Sequence, residues 1–139
     1  MGSIGLLGAA AGLVGPLLFF GVATIQGWLR PRYSPLRNYI SELGTGPNGW
    51  IGRSNSIVVG ILRVVFALGV GEVITDSMAV RIGIVLLTIA GIGSIGCGLF
   101  PAELRPPLST SGKIHILFGL VVFGLIPPAC LAFALGFAT

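Results

Sequence analysis

The sequence predicts an all-α membrane protein whose four transmembrane helices form an up-and-down bundle. Hydrophobic residues make up 54% of the 139 positions and charged residues only 9%, and the mean hydropathy is +1.01. Soluble domains carry about 25% charged residues, so this deficit favours a bilayer as the solvent. Four apolar runs, each of about the 20 residues that cross a membrane, use up the chain and predict a single transmembrane domain over residues 1–139.

Each span has its own sequence features. The first run is longer than the apolar core of a signal peptide, so we expect a permanent span. It contains the GxxxG pair Gly8 and Gly12, and the third run is rich in small residues, so close helix contacts are expected. Very few residues separate the second and third runs, which predicts a helical hairpin. The spans are expected at about residues 4–29, 51–75, 80–100 and 113–137.

Residues 30–50, RPRYSPLRNYISELGTGPNGW, form the polar exception between the first two spans. Pro31 and Pro35 exclude regular helix up to Ser34. Residues 36–43 are then suited to a short helix on the membrane surface, with Ser34 as the N-cap and Pro35 at the first helical position. The segment is therefore interpreted as a polar loop and as half of any functional site.

Four spans place this first loop and the third loop, residues 101–112, on the same face of the membrane. We therefore expect a polar pocket near the interface. The candidate ligand-binding residues carry charged, amide, hydroxyl or imidazole groups; they are Arg37, Ser41, Glu42, Asn55, Arg63, Glu103, Arg105 and His115. Each also has a structural interpretation, such as a salt bridge or a bond to nearby backbone. A catalytic Ser–His pair lacks support from a GxSxG pattern, so catalytic residues stay undefined.

Arg63 is unusual because it lies near the middle of the second span. An arginine at this depth costs about 2.5–3.5 kcal/mol on insertion scales, so it should face the helix bundle or water. Glu72 follows nine positions later, about 13 Å along the helix axis, so a direct ion pair between the two is not expected.

Charge and cysteine content limit the partners. The formal charge of +4 is too small and too scattered for nucleic acid, and it suits orientation and anionic head groups instead. Cys97 and Cys130 are expected to be free thiols.

With one histidine and no CxxC or HxxxH spacing, no protein-only metal site is expected. The cofactor is unknown, with His115 as a single axial ligand to a pigment or haem kept open.

Orientation follows from the positive-inside rule. The face of loops one and three carries six basic residues, Arg30, Arg32, Arg37, Arg53, Arg105 and Lys113, whereas the other face carries Arg81. This predicts a multi-pass protein of the cell membrane with loops one and three in the cytoplasm and both termini outside.

The motifs together resemble the family catalogued as domain of unknown function 998, a group of small prokaryotic multi-spanning membrane proteins. Its pattern has a Ser-Glu pair followed by Gly, then a Gly-hydrophobic-Phe-Pro motif with an acid, then a His about a dozen positions on. Here it covers about residues 30–123 and falls on Ser41, Glu42, Gly44, Asn55, Gly98, Phe100, Pro101, Glu103 and His115. Family members resemble six-span proteins in hydropathy, so the resemblance implies a shortened member. It implies no established reaction.

Three functional hypotheses follow. The leading one is binding of a lipid, isoprenoid or similar amphiphile at the pocket of loops one and three, with arginines neutralising an anionic head and Glu42 and His115 orienting it. The alternative is a small accessory subunit of a larger membrane complex, respiratory or photosynthetic, packing on partner helices and contacting a pigment or haem. A weaker third is an oligomeric transporter with Arg63 lining an anion path. The expected partners are membrane lipids and other membrane subunits or a second copy. The sequence leaves open whether a reaction follows binding.

Overall fold

Four long helices make up the structure, a computed structural model that describes residues 2–74, 76–103 and 106–138. All four are long and apolar enough to cross a membrane, which confirms the predicted class: this is an all-α membrane protein. The helices begin and end within three residues of the predicted spans; they are α1 (Ser3–Leu29), α2 (Gly49–Val73), α3 (Met78–Leu99) and α4 (Thr110–Phe137). Ser109 caps α4 by accepting from the Gly112 N–H at 3.0 Å.

The helices run up and down, and extensive contacts among the described residues join consecutive helices: α1 with α2, α2 with α3, and α3 with α4. Glycines permit the close approach. A Cβ on Gly8 would lie 2.6 Å from the Gly69 Cα, and one on Gly60 would lie 2.6 Å from the Gly91 carbonyl oxygen. No side chain fits between backbones at these distances, so the predicted small-residue contacts are what set the helix spacing.

The apolar core lies in the half of the molecule away from loops one and three. Its most buried members come from α2, α3 and α4, and the Phe66 and Phe133 rings meet edge to face at 6.2 Å between centroids. The buried core residues are Ala67, Val80, Leu87, Ala129 and Phe133. Buried and half-buried polar groups concentrate in the other half, so the fold itself separates a packing end from a polar end.

Glu72 lies in the last turn of α2 and reaches the start of α1. Its carboxylate accepts a hydrogen bond from the Gly5 backbone N–H. The residue at the N-cap position of α1, Gly2, offers no side-chain cap of its own. A negative charge at a helix N-terminus satisfies an orphan donor and the helix dipole together. The Glu72 carboxylate therefore binds the start of α1. It does not pair with Arg63, as the spacing predicts.

Replacing Glu72 by alanine is expected to lower the free energy of unfolding by about 1 kcal/mol, because lost N-caps typically cost roughly 0.5–2 kcal/mol. Glutamine keeps an oxygen acceptor and should lose less. The measurement is unfolding in sodium dodecyl sulfate followed by tryptophan fluorescence. Equal stability of the native chain and both variants would show that Glu72 does not cap α1.

The helical segment of loop one differs from the prediction. Instead of a helix over residues 36–43 capped by Ser34, a short 3₁₀ turn spans Ile40–Gly44. The Asn38 side chain accepts from the Ser34 N–H at 3.0 Å, and the Asn38 N–H donates to the Ser34 carbonyl at 2.8 Å. Asparagine side chains compete with helical backbone bonds in this way. The chain therefore closes a turn at residues 34–38 before it becomes helical.

Candidate functional site

Loop one folds back over the end of α1 because Gln26 holds it there. The Gln26 side chain is only 8% exposed, and its Nε2 donates to the Leu43 carbonyl at 2.9 Å and to the Asn48 carbonyl at 3.0 Å. Arg30 adds a second tie, since its guanidinium donates to the Glu42 carbonyl oxygen. These bonds give the loop a defined shape from its 3₁₀ turn to the start of α2.

Glu42, a candidate ligand residue, has a structural task in this loop. Its carboxylate accepts from the Tyr39 N–H at 2.9 Å and from the Asn38 side-chain amide at 3.1 Å, which caps the 3₁₀ turn. Burial raises the pKa of the nearby Tyr33 phenol, the negative charge of Glu42 raises it further, and the Arg30 guanidinium opposes the rise. The phenol therefore stays neutral at physiological pH.

A cleft of about 380 Å³ lies where the end of loop one meets loop three, so the predicted meeting of these loops on one face is observed. Its wall is partly backbone, supplied by glycines, and the charged side chains that line it in the described part of the chain are Arg53 and Glu103. Trp50, which is 62% exposed, lies at its rim. The lining residues are Gly44, Thr45, Gly46, Gly49, Trp50, Arg53, Pro101 and Glu103. An opening lined by an arginine, a carboxylate and an exposed indole can accept a polar head group at the membrane interface.

Loop three is held against the start of α4. The Ser111 hydroxyl donates to the Pro101 carbonyl at 3.1 Å, and the Glu103 N–H donates to the same oxygen at 2.9 Å. Gly112 lies so close to the Glu103 carbonyl that a Cβ there would overlap it. The Glu103 backbone is thus fixed while its side chain stays exposed towards the cleft.

His115 binds the end of α3 rather than the cleft. Its Nδ1 lies 2.8 Å from the Phe100 carbonyl oxygen and 3.1 Å from the Cys97 carbonyl oxygen. Carbonyl oxygens only accept, so Nδ1 carries a proton and donates to them. These bonds satisfy carbonyls that the end of a helix leaves open. The histidine therefore ties α4 to the last turn of α3.

Arg63 faces α3. Its guanidinium donates to the Ser94 hydroxyl, which itself donates to the Ala90 carbonyl at 3.1 Å. The Ser56 hydroxyl donates to the Ser94 carbonyl at 2.8 Å. These contacts form a small polar cluster between α2 and α3 below the cleft, and Ser56 lies one turn from Arg53 on the same helix.

Asn55 is buried between α1 and α2, with 8% of its surface exposed. Its amide nitrogen donates to the Phe19 carbonyl at 3.1 Å, and its side-chain oxygen is buried without a hydrogen-bond partner, as is the Gln26 side-chain oxygen. This placement makes Asn55 a helix-to-helix contact. It does not line the cleft.

The remaining candidates take separate positions. Arg37 is exposed and Ser41 is half-buried within the 3₁₀ turn. Arg105 lies outside the described residues. Of the candidates in the described part of the chain, Glu103 is the one that lines the cleft. Across the described residues no group of three or more His, Cys, Asp or Glu side chains is placed to hold a metal ion, and Cys97 and Cys130 are free.

Comparison with known proteins gives the family. A family model described as a protein of unknown function, DUF998, matches residues 13–139. The chain belongs to the DUF998 family. No curated protein and no solved structure matches the chain. The resemblance inferred from the loop motifs is thus confirmed, and in this DUF998 protein those motifs build the two loops and the ends of the helices that carry them.

Sequence reasoning missed two residues that shape the polar end of this DUF998 protein. Gln26 gives a weak signal because it is a single amide in a long apolar run, although a buried amide in a span needs partners. The sequence marks Arg53 only by its charge, yet the structure shows its side chain lining the cleft. Its position three residues after Trp50, in the first turns of α2, is the signal that places it at the interface.

Proposed function

We propose that the protein binds the anionic head group of a lipid, isoprenoid or similar amphiphile in the cleft between loops one and three. The single observation that carries the proposal is that Arg53 lines a cleft of about 380 Å³ bordered by glycine backbone. A guanidinium donates in a planar fork that matches phosphate and carboxylate oxygens. Trp50 at the rim suits the boundary between head group and acyl chain.

The cleft is proposed to face the cytoplasm of the cell membrane. The support is the concentration of basic residues in loop one and at the start of α2, against Arg81 near the opposite end. Basic residues near the cytoplasmic surface also attract anionic lipids, so orientation and ligand choice agree.

Replacing Arg53 by glutamine is expected to weaken binding of phosphatidylglycerol about 10- to 100-fold, because a hydrogen bond to a charged group contributes roughly 1.5–3 kcal/mol. Native mass spectra of the purified protein titrated with this lipid measure the effect. Arg37→Gln is the matched control, since it removes the same charge from an exposed position that does not line the cleft. If both variants weaken phosphatidylglycerol binding equally, the loss of affinity reflects only the lower net positive charge, and the proposal is contradicted.

Glu103→Gln tests the kind of head group. Glu103 lines the same cleft as Arg53, so its carboxylate repels an anionic head. Its removal is expected to strengthen phosphatidylglycerol binding by a few-fold in the same titration. Unchanged affinity would show that the head group does not enter the part of the cleft that Glu103 lines.

The second candidate function is an accessory subunit of a larger membrane complex. The observation in its favour is that Gly21 on α1, and Gly119 and Gly124 on α4, have nothing within 4 Å of a Cβ position. These open small-residue positions suit close contact with helices of another chain. The same native mass spectra separate the two functions, because one predicts lipid adducts and the other predicts a co-purifying chain of defined mass.

A further inference from the structure

We propose a second anion site in this protein, formed within the membrane by Arg63 and Ser94 between α2 and α3, which takes a phosphate group. It stands apart from the loop cleft and does not depend on it. The ligand chemistry is a phosphate monoanion or diester, supplied by a lipid head group or by free phosphate. Four features of the cluster support the site.

The first feature is an uncompensated charge. All four acidic side chains are placed elsewhere: Glu42 caps the 3₁₀ turn, Glu72 caps α1, Asp76 is exposed in the connection between α2 and α3, and Glu103 lies in loop three. The titratable group that faces the Arg63 guanidinium, within the described residues, is the Cys97 thiol. A guanidinium remains protonated in proteins, so the charge persists. A charged arginine within a span requires a partner, and none of the four Asp and Glu side chains takes that place.

The second feature is spare hydrogen-bonding capacity. A guanidinium has five N–H donors. In the described part of the chain the acceptor provided for them is one hydroxyl, that of Ser94. The Ser94 hydroxyl hydrogen is already donated to the Ala90 carbonyl at 3.1 Å, so its oxygen holds the guanidinium in one orientation. The other donors of this half-buried guanidinium have no acceptor among the described residues, and phosphate oxygens are acceptors that match its planar fork.

The third feature is the direction of the side chain. The Arg63 Cβ lies 3.3 Å from where a Gly91 Cβ would be, so the residue starts level with Gly91. Its guanidinium reaches Ser94, about 4.5 Å further along α3 towards loop three. Ser94 lies five residues before the end of α3 at Leu99, which corresponds to about 7.5 Å. The Arg63 guanidinium therefore lies closer than its own backbone to the membrane surface on which the cleft is found. A phosphate that lies slightly deeper than the head-group layer could contact it there.

The fourth feature is access. Arg63 is half-buried rather than enclosed, and extensive contacts of the described residues join consecutive helices only. The α2–α3 seam is thus bordered by bilayer as well as by protein. Gly60 and Gly91 keep this seam narrow below the guanidinium, since a Cβ on either would meet backbone within 3 Å. The seam is equally narrow on the loop side, because a Cβ on Gly98 would lie 2.6 Å from the Arg53 carbonyl oxygen and the Ser56 hydroxyl donates to the Ser94 carbonyl at 2.8 Å. A phosphate therefore approaches Arg63 from the bilayer side of the seam.

The test measures proximity between arginine nitrogen and phosphorus directly. Protein labelled with 15N in its arginine side chains is placed in phosphatidylglycerol bilayers, and 15N–31P dephasing is recorded by solid-state NMR. The dephasing spectrum of Arg63→Gln is subtracted from that of the native chain. The difference should contain a signal with a nitrogen–phosphorus distance of roughly 4 Å, as expected for an N–H donating to a phosphate oxygen. Arg53→Gln is the control, and it should retain that signal even where it abolishes binding in the cleft.

A second bilayer distinguishes the two phosphate sources. In a galactolipid bilayer with inorganic phosphate in the buffer, persistence of the Arg63 signal assigns the site to free phosphate, and its loss assigns the site to a lipid head group. Absence of the signal in both bilayers overturns the proposal. Arg63→Lys keeps the charge and also removes the labelled guanidine nitrogens, so it supplies the same difference spectrum if the glutamine variant does not fold.

Discussion

Replacing Gly8 by alanine should destabilise the protein by about 1–3 kcal/mol, the usual cost of forcing an extra carbon into a packed contact. The new Cβ would lie 2.6 Å from the Gly69 Cα and 3.3 Å from the Val65 carbonyl oxygen. Both neighbours are backbone atoms of α2, so no side-chain rotation relieves the overlap and the two helices must separate. Unfolding in sodium dodecyl sulfate, followed by tryptophan fluorescence, measures the loss.

The same helix provides a matched control with the opposite expected sign. Gly21 has nothing within 4 Å of a Cβ position. Gly21→Ala should therefore be neutral, or stabilising by up to about 1 kcal/mol, because alanine favours helix over glycine. If both alanine variants shift the transition equally, the change reflects helix propensity alone and the Gly8–Gly69 contact does not set the spacing of α1 and α2.

Replacing Gln26 by methionine should cost about 2–3 kcal/mol and should release loop one. Methionine has a similar length but no N–H, so the Leu43 and Asn48 carbonyls lose the donors that lie 2.9 Å and 3.0 Å away. Leu43 is only 2% exposed, so its carbonyl loses its partner in a site that water reaches poorly. A buried acceptor left without a donor costs about 1–3 kcal/mol.

Amide hydrogen exchange shows which part of the protein Gln26→Met destabilises. The amides of residues 40–49 should exchange faster, whereas those of α3 and α4 should keep their protection, because the 3₁₀ turn of loop one makes its extensive contacts with α1 and α2 among the described residues. Thr24→Val is the control, as it removes a polar group from an exposed position two residues away. Unchanged exchange in residues 40–49 of Gln26→Met would show that loop one is held by other contacts.

Much of the fold was predictable from short stretches of sequence. The length of each apolar run predicts a span, because transfer of a helix into a bilayer depends on the summed hydrophobicity of about 20 consecutive residues. The close contact at Gly8 follows from the local spacing of small residues. The meeting of loops one and three on one face then follows from counting four spans, which is why the cleft was expected even though most of its lining residues were not.

The roles of the polar residues were harder to predict. Glu42 is a candidate ligand residue by sequence, and the bond that its carboxylate accepts from the Tyr39 N–H could not be predicted, because it depends on where the chain turns. The partner of Gln26 lies 17 residues away and that of Arg63 lies 31 residues away. No short pattern encodes such pairs. They exist only once the helices have packed and have brought separate segments within hydrogen-bonding distance.

The amino-acid sequence alone established a four-span membrane protein, its family and the face on which its polar loops gather, since these depend on hydrophobicity and chain order. The packed structure assigned Arg53 and Glu103 to the cleft, Glu72 to the start of α1, and Arg63 to Ser94. The physical reason is that hydrophobic transfer adds up along the chain, whereas a hydrogen bond or a charge contact depends on distances of a few ångströms between residues far apart in sequence.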